Sequence, residues 1–203
     1  MLRIYGPAAT RTFRAIWTAE ELGLEYEHVK IDLKSEAKSQ EFLEKHPMGK
    51  VPVLEHDGRY LFESAAICIY LADLRPEMGL MPEAGSFERG QANQWIHFAM
   101  TEFESHLWFM AKHNFVLPEA WRVPDVTSTC IYEFYNSLDV VIAQLSKNDF
   151  ILGDKFSVAD ILVCQTLLWA RKVDGIEINS QTVKDYMERM KAREKFPDIK
   201  KFV

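Results

Sequence analysis

The sequence predicts two unlike parts in one chain, an α/β half with the element order βαβ–ββα and an all-helical half after it. Three observations predict this. Before residue 75 the apolar residues pass from strand-like runs to a 3.6-residue period and back. Asp57-Gly58 stands between two short apolar runs, a strong hairpin signal. Beyond a break at 75–86 punctuated by Pro76, Gly79, Pro82 and Gly85, the period is helical throughout.

The elements follow in order. Arg3 to Tyr5 reads as a short strand that stops at Gly6-Pro7. From Thr12 the period is helical, with Phe13, Ile16, Trp17 and Ala19 on one face, and Gly23 ends the helix as a residue able to take positive φ. Tyr26 to Asp32 is the second strand, and a brief helix runs over Ser39 to Lys45. Val51 to Leu54 and Tyr60 to Phe62 flank the hairpin turn. Ser64 then caps a helix whose Ile67, Tyr70, Leu71 and Leu74 fall at the spacing of a buried face. In the second half, Phe87 to Phe115 is one long amphipathic stretch and Val126 to Lys147 another. The stretch opened by Ser157 is apolar nearly all round, which predicts a helix buried on every side, and Ser180 to Ala192 is a fourth helix. Ser157 and Asp160 have the spacing of a capping box, with Phe156 and Ile161 placed for a hydrophobic staple.

Composition narrows the function. A chain of 203 residues, 48% apolar, can bury a sizeable core. A formal charge of −6 argues against nucleic acid or an anionic membrane as the main partner. The N-terminus has no apolar run with a cleavage site, and no apolar stretch is long enough to span a bilayer. Cys68, Cys130 and Cys164 lie scattered inside apolar runs, without metal-ligand spacing, and read as reduced core thiols of a cytoplasmic protein. No metal is expected.

Three segments, Arg11 to Val29, Pro47 to Leu71 and Phe150 to Val163, carry a resemblance to the soluble glutathione transferase family that covers essentially the whole chain. The pattern is closest to bacterial members and to the serine and cysteine classes. The resemblance implies a thioredoxin-like domain with a mixed four-stranded sheet over 1–80, a linker at about 75–86 and an all-helical domain over 87–203. It also implies glutathione as co-substrate, a hydrophobic electrophile as second substrate, and a homodimer.

The motifs can be read as chemistry beside it. An X-Pro bond can be cis at modest cost, and Val51-Pro52 is expected to be cis. The resemblance has Val51 offer its main chain to the cysteinyl backbone of glutathione. The γ-glutamyl end carries an ammonium and a carboxylate. Glu63 supplies an acceptor for the first, and Ser64, with the amides of a helix N-terminus, donors for the second. Lys50 and Lys34 are both candidates for the glycyl carboxylate, and His46, in the same loop, reads as solvated. Glu102 aligns with an acid that in relatives reaches the γ-glutamyl end across a dimer interface.

Only a thiolate attacks electrophiles, and a free thiol titrates near 8.5. Lowering that by about two units takes roughly 2.7 kcal/mol of preferential stabilisation. A hydroxyl donor plus helix-N-terminal amides can supply this. The resemblance places Thr10 where many members have serine and some cysteine. The alternative reading has Thr10 as the cap of the first helix. Arg11 could add a cation near the sulfur, and Tyr5 is a second candidate hydroxyl. With no cysteine at this position, dithiol exchange and cysteine-class chemistry at this site are excluded. The electrophile side is assigned to Ala8, Thr101, Phe103, Glu104, His106 and Trp108. Three functional readings stand: conjugation of glutathione to a hydrophobic electrophile; isomerisation, dehalogenation or peroxide reduction at the same site; and a non-catalytic scaffold.

Overall fold

Strand β1 (Leu2–Tyr5) buries three of its four side chains and is an inner strand of its sheet. The computed structural model describes residues 1–198. β1 pairs in parallel with β2 (Tyr26–Val29) and antiparallel with β3 (Val53–His56), and β4 (Arg59–Phe62) completes a mixed sheet ordered β2-β1-β3-β4. Parallel neighbours need a crossover, and α1 (Thr12–Glu21) supplies it. Every side chain from Thr12 to Ala19 is buried. Gly23 leaves the helix at φ 61, as expected. The β3–β4 turn places Asp57 and Gly58 at φ 50 and 77, the two left-handed residues of a primed hairpin turn.

β2 ends at Val29 rather than Asp32, because Asp32 Oδ1 accepts the amides of Lys34 and Ser35 and folds the chain into a local turn. Helix α2 (Gln40–Lys45) is capped by Ser39, whose hydroxyl accepts the Phe42 amide at 3.2 Å. Helix α3 (Ser64–Asp73) packs along α1. Its buried face is Ile67, Cys68, Leu71 and Ala72, not Tyr70, whose exposed hydroxyl meets His56 Nδ1 at 2.6 Å.

The chain divides into one unit of Met1–Glu83 with the segment from Lys191 onward, and a second of Ala84–Met190. By packing, the described residues 191–198 group with the α/β unit, although the expected helical domain was drawn over 87–203. The reason is local packing. Arg193 forks onto both oxygens of Glu21 at 2.7 and 2.8 Å, and the Phe196 ring lies 4.9 Å from Trp17 and 5.6 Å from Phe13.

In the second unit the predicted stretch from Phe87 is helical but not regular. It runs as α4 (Phe87–Phe98), a π-helical segment (Ala99–Phe103), α5 (Glu104–Ala111) and a second π-helical segment (Lys112–Val116). Helices α6 (Val126–Leu145), α7 (Val158–Ala170) and α8 (Gln181–Lys191) follow. α7 is buried on nearly every side, as its sequence predicts, and opens with the expected capping box, the Asp160 carboxylate accepting the Ser157 amide at 2.9 Å. All three cysteines are buried, and none is in a disulfide. Among the described residues no His, Cys, Asp and Glu group could hold a metal, and no helix is long and apolar enough to cross a membrane.

Candidate functional site

The loop that leads into β3 is held from below. Gly49 takes φ 57 where a side chain would collide with the Ala37 carbonyl, and Lys38 Nζ ties the loop down through the Gly49 and Met48 carbonyls at 2.9 and 3.2 Å. The Val51-Pro52 bond is cis, as expected. Val51 lies against the end of β1, since a Cβ on Gly6 (φ 128) would come within 2.7 Å of Val51 Cβ and overlap the Thr12 hydroxyl. Neither the N–H nor the C=O of Val51 is engaged by another described residue. A short strand-like edge is thereby open to an extended backbone.

Glu63 and Ser64 begin α3, but not in the roles expected of the cap. Glu63 occupies the cap position at φ 71, a left-handed conformation costing about 1 kcal/mol or more in a non-glycine residue, and its carboxylate is exposed. Ser64 is the first helical residue, and its hydroxyl caps nothing. It is 2% exposed and accepts a hydrogen bond from Arg14 Nη1 at 3.1 Å. The first intrahelical bond runs from the Ile67 amide to the Glu63 carbonyl, so the amides before it point out of the helix end without an intrahelical partner. His46 is buried rather than solvated. Its ring lies 4.7 Å from Phe62, its Nδ1 accepts the Met48 amide, and burial pushes its imidazole below the ordinary value against the pull of Glu63.

At the start of α1, Thr10 does local work. Its hydroxyl donates to the Pro7 carbonyl at 2.7 Å, accepts the Thr12 amide at 3.2 Å and lies 3.0 Å from the Thr12 hydroxyl. The formal cap position is Arg11, without a side-chain capping bond. Thr10 and Arg11 are both half-buried, whereas Ala8 is buried. Tyr5 is not available as a second thiol donor. Its ring packs with Ala37, Phe42 and Val53, and its hydroxyl donates to Glu55 Oε2. Burial, and then the Glu55 carboxylate, push the phenol up to about 12. Lys34 and Lys50 are both exposed.

In the helical unit, Thr101 and Glu102 are exposed, and the Thr101 hydroxyl donates to the His97 carbonyl. His106 and Trp108 are half-buried. Phe103 is not a substrate contact. It is fully buried and stacks on Phe134 at 5.0 Å. Glu104 is also turned inward, at 2% exposure. Both corrections follow from the π-helical segment, whose wider turn shifts which side chains face the core.

Arg14 and Lys38 went unread in the sequence, and Gly6 was read only as the end of the first strand. Arg14 left one signal, a charge set among Phe13, Ala15, Ile16 and Trp17 where the helix is otherwise mostly apolar.

Comparison with known proteins bears on the family. Residues 2–73 match the model of the glutathione S-transferase N-terminal domain, and residues 128–203 match that of the C-terminal domain. The chain is 36% identical over 167 residues to glutathione S-transferase F10 of Arabidopsis thaliana, covering 79% of this chain and 77% of that protein. Among solved structures it is similar to a glutathione transferase from Methylococcus capsulatus strain Bath, with a TM-score of 0.87 and 29% identity over 99% of this chain and 98% of that one. It is similar also to BphK, a bacterial GST solved as a ternary complex, with a TM-score of 0.87 and 30% identity over 97% and 96% of the two chains.

Proposed function

The chain belongs to the glutathione S-transferase family, and from that premise we propose that it joins the glutathione thiolate to a small hydrophobic electrophile. The observation that carries the reading is the open main chain of Val51 beside the end of β1. An extended cysteinyl backbone can pair there in antiparallel fashion. The γ-glutamyl carboxylate then meets the Ser64 hydroxyl and the amides at the start of α3, where the helix dipole favours an anion, and the exposed Glu63 carboxylate receives the ammonium. Lys50 or Lys34 takes the glycyl carboxylate, and Glu102 of a partner subunit the γ-glutamyl end. The electrophile side is left to Thr101, His106 and Trp108, since Ala8 is buried like Phe103 and Glu104. A cytoplasmic homodimer accords with the family, and a reducing compartment with three buried cysteines outside any disulfide.

Thr10 activates the thiol by redirecting its proton. The hydroxyl donates to a neutral carbonyl, a bond worth about 0.5–1.5 kcal/mol, whereas a hydrogen bond to a charged acceptor is worth about 1.5–3 kcal/mol. A thiolate within reach therefore outcompetes Pro7, and Arg11 adds a cation nearby. Wild type is expected to bind immobilised glutathione. Thr10→Ala should raise the thiol pKa of the bound tripeptide by about one unit and slow conjugation to a generic aromatic halide about tenfold. An unchanged rate and pKa in that variant would remove Thr10 from the mechanism.

One observation favours the scaffold reading, namely that the Thr10 hydroxyl already has an acceptor in Pro7. The same column separates the two, because a scaffold without the tripeptide seat would not be retained. A panel of peroxides and halides divides conjugation from the other thiolate reactions.

A further inference from the structure

Arg14 is fully buried in α1, and its Nη1 donates to the Ser64 hydroxyl, itself buried at the first position of α3. That is the one hydrogen bond Ser64 Oγ makes among the described residues. A serine hydroxyl has one proton to give and lone pairs to accept with, whereas a guanidinium can only donate. Ser64 must therefore be the acceptor in this pair, and its own proton must point elsewhere. We propose that Arg14 is a positioning residue for the γ-glutamyl carboxylate, fixing Ser64 as a donor toward that group and setting a cation behind it.

The proposal rests on the glutathione reading above and adds to it. Donation by a cation polarises the hydroxyl and strengthens the bond it makes onward to an anion. Because both side chains of the relay are buried, the hydrogen bond between them does not compete with solvent. Ser64 lies one residue past the cap and makes no capping bond, so its hydroxyl proton is not committed to the helix end. A bland alternative exists, in which Arg14 only braces α1 against α3. A brace would weaken every ligand of the site alike, whereas a relay to one carboxylate weakens only ligands that carry it.

The test compares glutathione with 4-aminobutyryl-cysteinyl-glycine, which lacks that one carboxylate and keeps the rest of the tripeptide. Wild type is expected to prefer glutathione by about a hundredfold in KM. Arg14→Gln should cut the preference about tenfold, through a higher KM for glutathione and little change for the analogue. Arg14→Lys, which keeps a cation and a donor, should recover the preference to within about threefold of wild type. In a Ser64→Ala background Arg14→Gln should have no further effect on the preference. Equal weakening of both ligands by Arg14→Gln overturns the proposal, as does a lysine variant that prefers glutathione no more than the glutamine one. If the glutamine variant does not fold, the lysine variant decides, since a folded Arg14→Lys that has lost the preference also overturns the proposal. A wild type that binds neither tripeptide counts against the glutathione reading itself.

Discussion

Tyr5 carries a hydroxyl that the sequence offers to the thiol and the fold directs to Glu55. Its folded pKa of about 12 lies above the ordinary 10, so the native state holds this proton more tightly than the unfolded chain does. Stability from the pair is complete below pH 10 and is lost as pH rises from 10 toward 12. Tyr5→Phe should therefore cost about 1–2 kcal/mol at pH 8, in denaturant unfolding, and that difference should shrink across pH 10–12. The thiol pKa of bound glutathione should stay where it is in wild type, since the phenol faces Glu55. A thiol pKa raised in the variant would return Tyr5 to the catalytic site. What could be read at this scale depended on how local the partners are. The cis Val51-Pro52 bond and the start of α3 at Glu63-Ser64 were legible because their motifs are contiguous. Arg14, Lys38 and His46 were not, since Ser64, Gly49 and Phe62, which define their roles, lie 50, 11 and 16 residues away.

Elements were legible wherever their period is regular. The fully apolar α7 and the Asp57-Gly58 hairpin sit where the pattern put them. The stretch from Phe87 failed in detail because a π-helical segment inserts a residue that a 3.6-residue count cannot register, so Phe103 and Glu104 both turn inward. The start of α7 permits a sharper statement. Asp160 is fully buried and accepts the amides of Ile151 and Ser157 and the hydroxyls of Ser157 and Tyr186, at 2.8, 2.9, 3.0 and 3.1 Å. Burial raises its carboxyl to about 6 in spite of these bonds. A folded pKa above the unfolded one means that protonation favours the native state, so this group's contribution is greatest below about pH 4 and declines as pH rises through 6. Asp160→Asn should flatten the pH dependence of stability between 4 and 7. Asp160→Ala, which strands two buried amides, should cost about 3 kcal/mol at neutral pH, seen as a fall in Tm of roughly 6–12 °C. A variant with the wild-type slope would mean that other groups set it.

At the scale of the molecule, the two-part plan was legible from the break at 75–86, but the packing of residues 192–198 against α1 was not. Nothing in the period of Ser180 to Ala192 says that the residues after it leave the helical unit, because the aromatic and acidic groups that receive them belong to α1. Glu21 joins the parts of this arrangement, taking the Trp17 indole N–H at 2.9 Å on the oxygen that also accepts Arg193. Phe196 covers the same indole, and Trp17 has no exposed surface. The segment thus closes one face of the helix whose first turn carries Arg14 and whose start is preceded by Thr10. Phe196→Ala should remove about 2–4 kcal/mol from the α/β unit, and Arg193→Ala about 1–3 kcal/mol, because a buried carboxylate is left with fewer donors. Since α1 also positions Ser64 through Arg14, Phe196→Ala should raise KM for glutathione and its carboxylate-lacking analogue by similar factors, unlike Arg14→Gln. Denaturant unfolding followed by KM for both tripeptides checks this. Unchanged stability in Phe196→Ala would show that the C-terminal segment rests on α1 without supporting it.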